Sequence, residues 1–303
     1  MTVPTSLHTS VVRMFTSDGL ELHGLLFMPP DKRPEAGIVH IHGLAGNFYE
    51  NRFIYVMARE AIARGMAFLA FNNRGHDYIS DINKETDGIY DSISGGGAFE
   101  IVAECVHDID AAIDVLLREG VATIFLQGHS SGANKAVFYL SQAKRSPVKG
   151  LVLISPCDDV ALQHNATGDR APQLLKLAQE MIADGKGMEL MPEGSYFSYP
   201  MSAKTFFDYF GPESDQDVFP YRTPSSEFKR LASIDIPIFV TFGGKKDALL
   251  IPPGEAEAML KSKATSSPSV VSAIIEGATH SYLNCEELLT EQVMLWIANV
   301  LRG

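Results

Sequence analysis

The sequence predicts an α/β protein: a mainly parallel sheet with helices on both faces, interrupted by one long insertion. Three observations carry this. Short apolar runs at residues 36–41, 66–71, 123–126, 148–154, 236–242 and 270–275 alternate with helical stretches, the pattern of strands covered on both faces by crossover helices. Each run stops at a polar or glycine-containing loop, where open α/β sheets gather their ligands. Residues 157–235 break the alternation and hold no convincing buried strand. The expected organisation is a core of residues 1–156 and 236–303 and a cap or lid at 157–235.

The elements follow in order. Val11, Val12, Met14 and Phe15 precede Thr16-Ser17-Asp18-Gly19, and Leu20, Leu22, Leu25 and Phe27 follow. This is a β-hairpin signal with an Asp-Gly turn, and it adds antiparallel edge strands. A helix is expected over about 50–64, with Phe53, Ile54, Met57, Ala58 and Ile62 at helical spacing and Gly65 as its stop. Residues 78–97 read as an irregular acidic loop ending in Gly95-Gly96-Gly97. That run lacks the Lys-Ser/Thr of a phosphate-binding loop, so turn or hinge is the better reading. Helices are expected over about 99–117, 133–143, 172–183, 254–261 and 286–301. Between 172–183 and the next strand lies an aromatic cluster: Tyr196, Phe197, Tyr199, Phe206, Phe207, Tyr209 and Phe210.

The bulk properties narrow the function. The 303 residues carry a net charge of −12, which argues against a nucleic-acid surface and against attraction to anionic membranes. The three cysteines form no Cys-x-x-Cys pair, so neither a disulfide framework nor a zinc site is implied. Cys105 and Cys157 read as small buried hydrophobes or free thiols. No metal or cofactor is expected. Residues 1–10 lack an apolar signal region and no stretch reaches membrane-spanning length. The expectation is a soluble, cytoplasmic protein acting on a small molecule.

The chemistry centres on Gly128-His129-Ser130-Ser131-Gly132, between the 123–126 strand and the 133–143 helix. Gly-x-Ser-x-Gly between strand and helix is a nucleophile elbow: a strained turn holds the serine hydroxyl outward, and free N–H groups of the helix's first turn await an oxyanion. Ser130 then needs a base. His280 is the best placed of the nine histidines, in a loop past the 270–275 strand. Asp247, past the 236–242 strand, is the expected partner acid, and the order Ser, Asp, His is the one this elbow uses. Its alternative is a turn or helix-capping aspartate, with Asp158 in reserve. The backbone N–H groups of Leu44 and Ser131 are the expected oxyanion donors. His42 is expected to brace the oxyanion loop, His40 to be buried and hydrogen-bonded, and His129 to point away. Arg74 is expected to tie neighbouring loops through backbone carbonyls, with a substrate-anion role as the alternative. No metal-binding residues are assigned.

His42-Gly43, Gly128-His129-Ser130-Ser131-Gly132, Gly243 to Asp247 and Gly277-Ala278-Thr279-His280 together resemble the α/β-hydrolase superfamily over nearly the whole chain except the insertion. The resemblance implies a serine hydrolase, mostly of carboxylic esters, with Ser130 as nucleophile, His280 as base, Asp247 as acid, and a cap in the insertion. Pro200-Met201-Ser202-Ala203-Lys204 through Asp217-Val218-Phe219 is similar to the cap of siderophore-esterase-like hydrolases, which implies bulky or macrocyclic ester or lactone substrates. An amidase or peptidase with the same triad, and a non-catalytic hydrolase-fold receptor, are the alternatives. Tyr196, Phe197, Phe206 and Phe207 are the candidate substrate-binding residues of the cap, with the cap's own small core as the competing role. The base reading predicts activity rising as His280 loses its proton, near or above an ordinary histidine pKa of about 6.5.

Overall fold

A computed structural model describes residues 9–30, 33–142, 147–196, 199–245 and 247–303. Ten strands and nine α-helices occur among them. The strands are β1 (Thr9–Phe15), β2 (Glu21–Phe27), β3 (Ala36–Ile41), β4 (Ala67–Phe71), β5 (Ser80–Thr86), β6 (Ile89–Gly95), β7 (Thr123–His129), β8 (Val148–Ile154), β9 (Ile238–Gly243) and β10 (Val270–Ile275). The helices are α1 (Arg52–Ala63), α2 (Cys105–Arg118), α3 (Ser131–Gln142), α4 (Asp159–Thr167), α5 (Ala171–Ala183), α6 (Ala203–Phe210), α7 (Lys229–Ala232), α8 (Pro253–Lys263) and α9 (Glu286–Arg302).

Eight strands make the central sheet, in the order β1-β2-β4-β3-β7-β8-β9-β10. From β4 to β10 every pairing is parallel; β1 pairs antiparallel with β2, and β2 with β4. Every residue of β3, β4 and β9 is buried, as their unbroken apolar runs require of strands covered on both faces. One core holds Val39, Leu69, Leu126 and Leu153 under α2, α3 and α8. The other holds Ile38, Phe68, Phe125 and Val152 under α1 and α9. Complete burial of a side chain such as Leu126 contributes roughly 1.5–3 kcal/mol, and Leu126→Ala would cost about 2–5 kcal/mol.

The register brings the strand ends level. Ile41 pairs with Gly128, His129 with Ile154, Ile154 with Thr241, and Gly243 with Ile275. The residues that follow these pairs, His42, Ser130, Ser155, Asp247 and His280, therefore leave the sheet along one edge.

One expectation is corrected and another is extended. Residues 78–97 are not an irregular loop: β5 and β6 form a separate two-stranded antiparallel hairpin. Between 157 and 235 the chain holds α4, α6 and α7 besides the expected α5. Ala178, Met191, Met201, Phe206, Tyr209 and Phe210 form a cluster of their own there, closed by Leu44 and Val102 from outside the segment. A buried chain of contacts anchors α6. Tyr209 donates its hydroxyl to Glu100 Oε2 at 2.7 Å, and Glu100 Oε1 lies 2.5 Å from Lys135 Nζ on α3, with both charged side chains fully buried.

Candidate active site

β7 delivers Ser130 into the left-handed region, at φ 57°, a strained conformation for a residue with a side chain. The turn is tight enough that a Cβ on Gly128 would stand 2.2 Å from the Gly132 carbonyl oxygen, so glycine is required there. Ser131 opens α3. On the other side the loop after β3 runs against the serine: a Cβ on Gly43 would lie 2.8 Å from Ser130 Cβ. Among the described residues the N–H groups of Leu44 and Ser131 donate to no protein acceptor. Unsatisfied donors on either side of a serine, one at a helix start and one in the loop after β3, suit a developing negative charge.

His280 and Asp247 meet. Nδ1 of His280 lies 2.6 Å from Asp247 Oδ1, which fixes Nδ1 as the protonated nitrogen and leaves the Nε2 lone pair free. Asp247 also accepts from Ser155 Oγ at 2.7 Å, from the Gly243 N–H at 2.7 Å and from the Ala248 N–H at 2.8 Å. Burial pushes its carboxyl pKa up, but the bonds from His280, Ser155 and Gly243 outweigh this and hold it below the ordinary value. Ser130 is not joined to the pair. Its Oγ stands 3.7 Å from Cys157 Sγ, and no hydrogen bond links it to His280 among the described residues.

The other expected residues separate by role. His42 donates Nδ1–H to the Gly43 carbonyl at 2.8 Å and accepts the Asn73 N–H on Nε2 at 3.1 Å; burial drives its pKa well down, so the brace is neutral. His40 is buried against Gln127 at 2.7 Å, its pKa driven by burial to about 3. His129 does not point away from the site. Its Nε2–H donates to the His280 carbonyl at 2.8 Å and its ring packs on the His280 ring at 4.8 Å. Burial first, then the charge of His280, push its pKa down to about 3.

Arg74 ties loops together through carboxylates rather than carbonyls: Asp18, Glu104 and Asp108 all pair with it. A guanidinium engaged on three carboxylates has no free donor face for a substrate anion. Asp158 caps α4 at the Ala161 N–H and pairs with Arg222 at 2.5 Å, and among the described residues no hydrogen bond joins it to His280. Of the aromatics in residues 157–235 expected to bind substrate, Phe206 is 1% exposed inside the segment's own cluster, and Tyr196 and Phe207 pack on that cluster half-buried. Phe197, Lys246 and His8 lie outside the described residues. Cys105 and Cys157 are free and buried. Among the described residues no group of three or more His, Cys, Asp or Glu side chains could hold a metal ion, and no helix is long and apolar enough to cross a membrane.

Three features escaped the sequence reading. Tyr282, fully buried, meets Ser155 Oγ at 3.0 Å, and Ser155 passes that contact to Asp247. His129 anchors the His280 backbone. Only Ser155 carried a signal, as the first residue past a strand.

Residues 95–300 match the family described as Protein of unknown function (DUF1749), and the chain belongs to that family, which lies within the α/β-hydrolase clan. No curated protein matches the sequence. Among solved structures, the siderophore hydrolase EstB from Aspergillus fumigatus is similar at a TM-score of 0.73 and 14% identity, over 99% of each chain. Est1E from Butyrivibrio proteoclasticus with bound ferulic acid is similar at 0.65 and 18% identity, over 96% of this chain and 100% of that one. A thermostable carboxyl esterase from Bacillus coagulans in complex with glycerol is similar at 0.67 and 14% identity, over 97% of this chain and 99% of that one. The fold is that of the α/β-hydrolases.

Proposed function

We propose that this protein is a serine hydrolase that cleaves carboxylic esters through an acyl-enzyme on Ser130. The observation that carries the reading is the His280–Asp247 pair at 2.6 Å, which shares a sheet edge with a serine strained to φ 57°. In the proposed cycle a rotation of the Ser130 side chain from Cys157 toward His280 Nε2 starts the reaction. Catalytic hydrogen bonds are often unmade until substrate arrives. His280 takes the hydroxyl proton as Ser130 attacks the ester carbonyl. The Leu44 and Ser131 N–H groups bind the oxyanion, and His280 returns the proton to the departing alcohol. Water activated by the same imidazole then releases the acid.

Residues 157–235 act as the cap in this reading, supported by the separate cluster of α5 and α6 closing on Leu44. Tyr196 and Phe207, half-buried, are the cap rings left to face a bulky or macrocyclic acyl or alcohol part. The siderophore hydrolase among the similar structures supports that size class. Free thiols support a reducing, cytoplasmic setting.

The experiment is hydrolysis of short p-nitrophenyl esters, with fluorophosphonate labelling, by wild type and Ser130→Ala. Wild type turns over and labels; the variant does neither. Equal ester rates in both would sink the reading, and a folded wild type that resists labelling would point to a receptor on a hydrolase fold.

A further inference from the structure

One buried acid beside Ser130 lacks a counter-charge. Glu21, Glu100, Asp108, Asp158 and Glu286 are all buried, and they face Arg13, Lys135, Arg74, Arg222 and Arg52 respectively. Asp159 is equally buried, at 5% exposed, and pairs with no cation among the described residues. Its partners are neutral: the Cys157 thiol donates to Oδ1 at 3.2 Å, and the Gln216 amide Nε2 donates to Oδ2. Burial raises its pKa against the thiol and amide bonds and the more distant fields of His280 and Lys135. A carboxylate taken out of water without a cation is an arrangement proteins avoid unless something else supplies the charge.

The surroundings also lack donors. Gln216 Oε1 and Asn134 Oδ1 are buried and unpartnered. The orientation of Asn134 is set, because its Nδ2 donates to the Cys157 carbonyl at 3.2 Å and to the Gln216 carbonyl at 2.9 Å. Gln216 already spends its Nε2 on Asp159. Asn134 lies one helical turn past Ser130, and Cys157 touches both the Ser130 hydroxyl at 3.7 Å and Asp159. The Asp159 carboxylate thus stands one thiol away from the serine oxygen, and the open acceptors belong to the amides that bond Asp159 and the Cys157 carbonyl.

We propose that Asp159, with Gln216 Oε1 and Asn134 Oδ1 beside it, is a subsite for a protonated amine carried by the ester substrate. This rests on the hydrolase reading of Ser130. An ammonium supplies both missing quantities, a compact positive charge and several N–H donors, whereas a hydroxyl would leave the carboxylate unneutralised. The acidity of the chain, net −12, favours approach of such a cation.

The test compares p-nitrophenyl esters of ammonium-ended acids with their methyl-ended isosteres, starting with β-alanine against butanoic acid and continuing to longer chains. A parallel arm sets aminoethyl against propyl esters by proton release. The expected result is a kcat/KM at least about tenfold higher for the ammonium member at one chain length. In Asp159→Asn that ratio falls toward one, whatever happens to the absolute rates. Fluorophosphonate labelling of Ser130 is read in both proteins. Labelling with no ammonium preference in wild type overturns the subsite alone, as does a preference that survives Asp159→Asn. Absence of labelling in wild type overturns the hydrolase reading and the subsite with it.

Discussion

Replacing Asp208 by Asn should stabilise the protein, and only above a defined pH. Asp208 lies on α6, accepts the Val102 N–H at 2.8 Å and faces Asp215, Glu100 and Glu104. Burial, then those three carboxylates, raise its pKa from 3.8 to about 6 against the Val102 bond. That displacement corresponds to ~3 kcal/mol of disfavour for the charged form. Partial exposure and ionic screening reduce the expected effect to ~1–2 kcal/mol. The raised folded-state value sets the sign. Between about 3.8 and 6 the folded chain keeps a proton that the unfolded chain releases, so this stability is complete below the window and lost as pH rises through it. Asparagine keeps an acceptor for Val102 and never ionises. Urea unfolding of both proteins at about pH 4.5 and pH 8 should show Asp208→Asn more stable by ~1–2 kcal/mol at the higher pH and by only about a third of that at the lower, which lies inside the window. A gain of the same size at both pH values, or a loss at pH 8, would refute the electrostatic argument.

Other outcomes follow from the same contacts. Asp247→Asn should lower kcat on p-nitrophenyl esters by about 10⁴ with little change in KM, because the amide cannot hold His280 in the reactive tautomer; steady-state kinetics decide it. Lys135→Met strands the fully buried Glu100 and should cost about 3–5 kcal/mol, while Lys135→Met with Glu100→Leu should recover most of that loss in denaturant titrations. His129→Phe keeps a ring against His280 but deletes the donor to its carbonyl. It should reduce kcat roughly 10- to 100-fold through misplacement of the imidazole, with substrate KM nearly unchanged.

The parallel strands were legible because their apolar runs are short and, in β3, β4 and β9, unbroken and buried on both faces, and β8 and β10 fall on the residues expected. The β5–β6 hairpin was not, for the opposite reason. Only Ile82 and Gly95 in it are buried, so it shows no alternation that a one-sided strand would print. α4 buries Asp159, Gln163 and Thr167 beside Val160 and Ala161, which erases the apolar stripe that usually marks a helix. At the site, Ser130, Asp247 and His280 could be read from their places after strands. The contacts around them could not. His129 binds a carbonyl far along the chain, and Ser155 and Tyr282 meet through backbone turns at φ 48° and 53°. Those are left-handed turns at residues that announce none.

The contact chain from Tyr209 through Glu100 to Lys135 bears on how far this scaffold can be re-engineered. Lys135 sits on the helix that begins just after Ser130, and its charge is neutralised by a glutamate whose other oxygen is held by the inserted segment. Excising residues 157–235, or exchanging them for the corresponding segment of another protein with this fold, would strip the hydroxyl from that glutamate and open the ion pair to water beneath the turn at Ser130. A successful chimera would have to carry a donor at the Tyr209 position or replace both charged partners with apolar residues. The segment is thus a graft that must be matched to its rootstock, and its transplantability can be selected for at three positions.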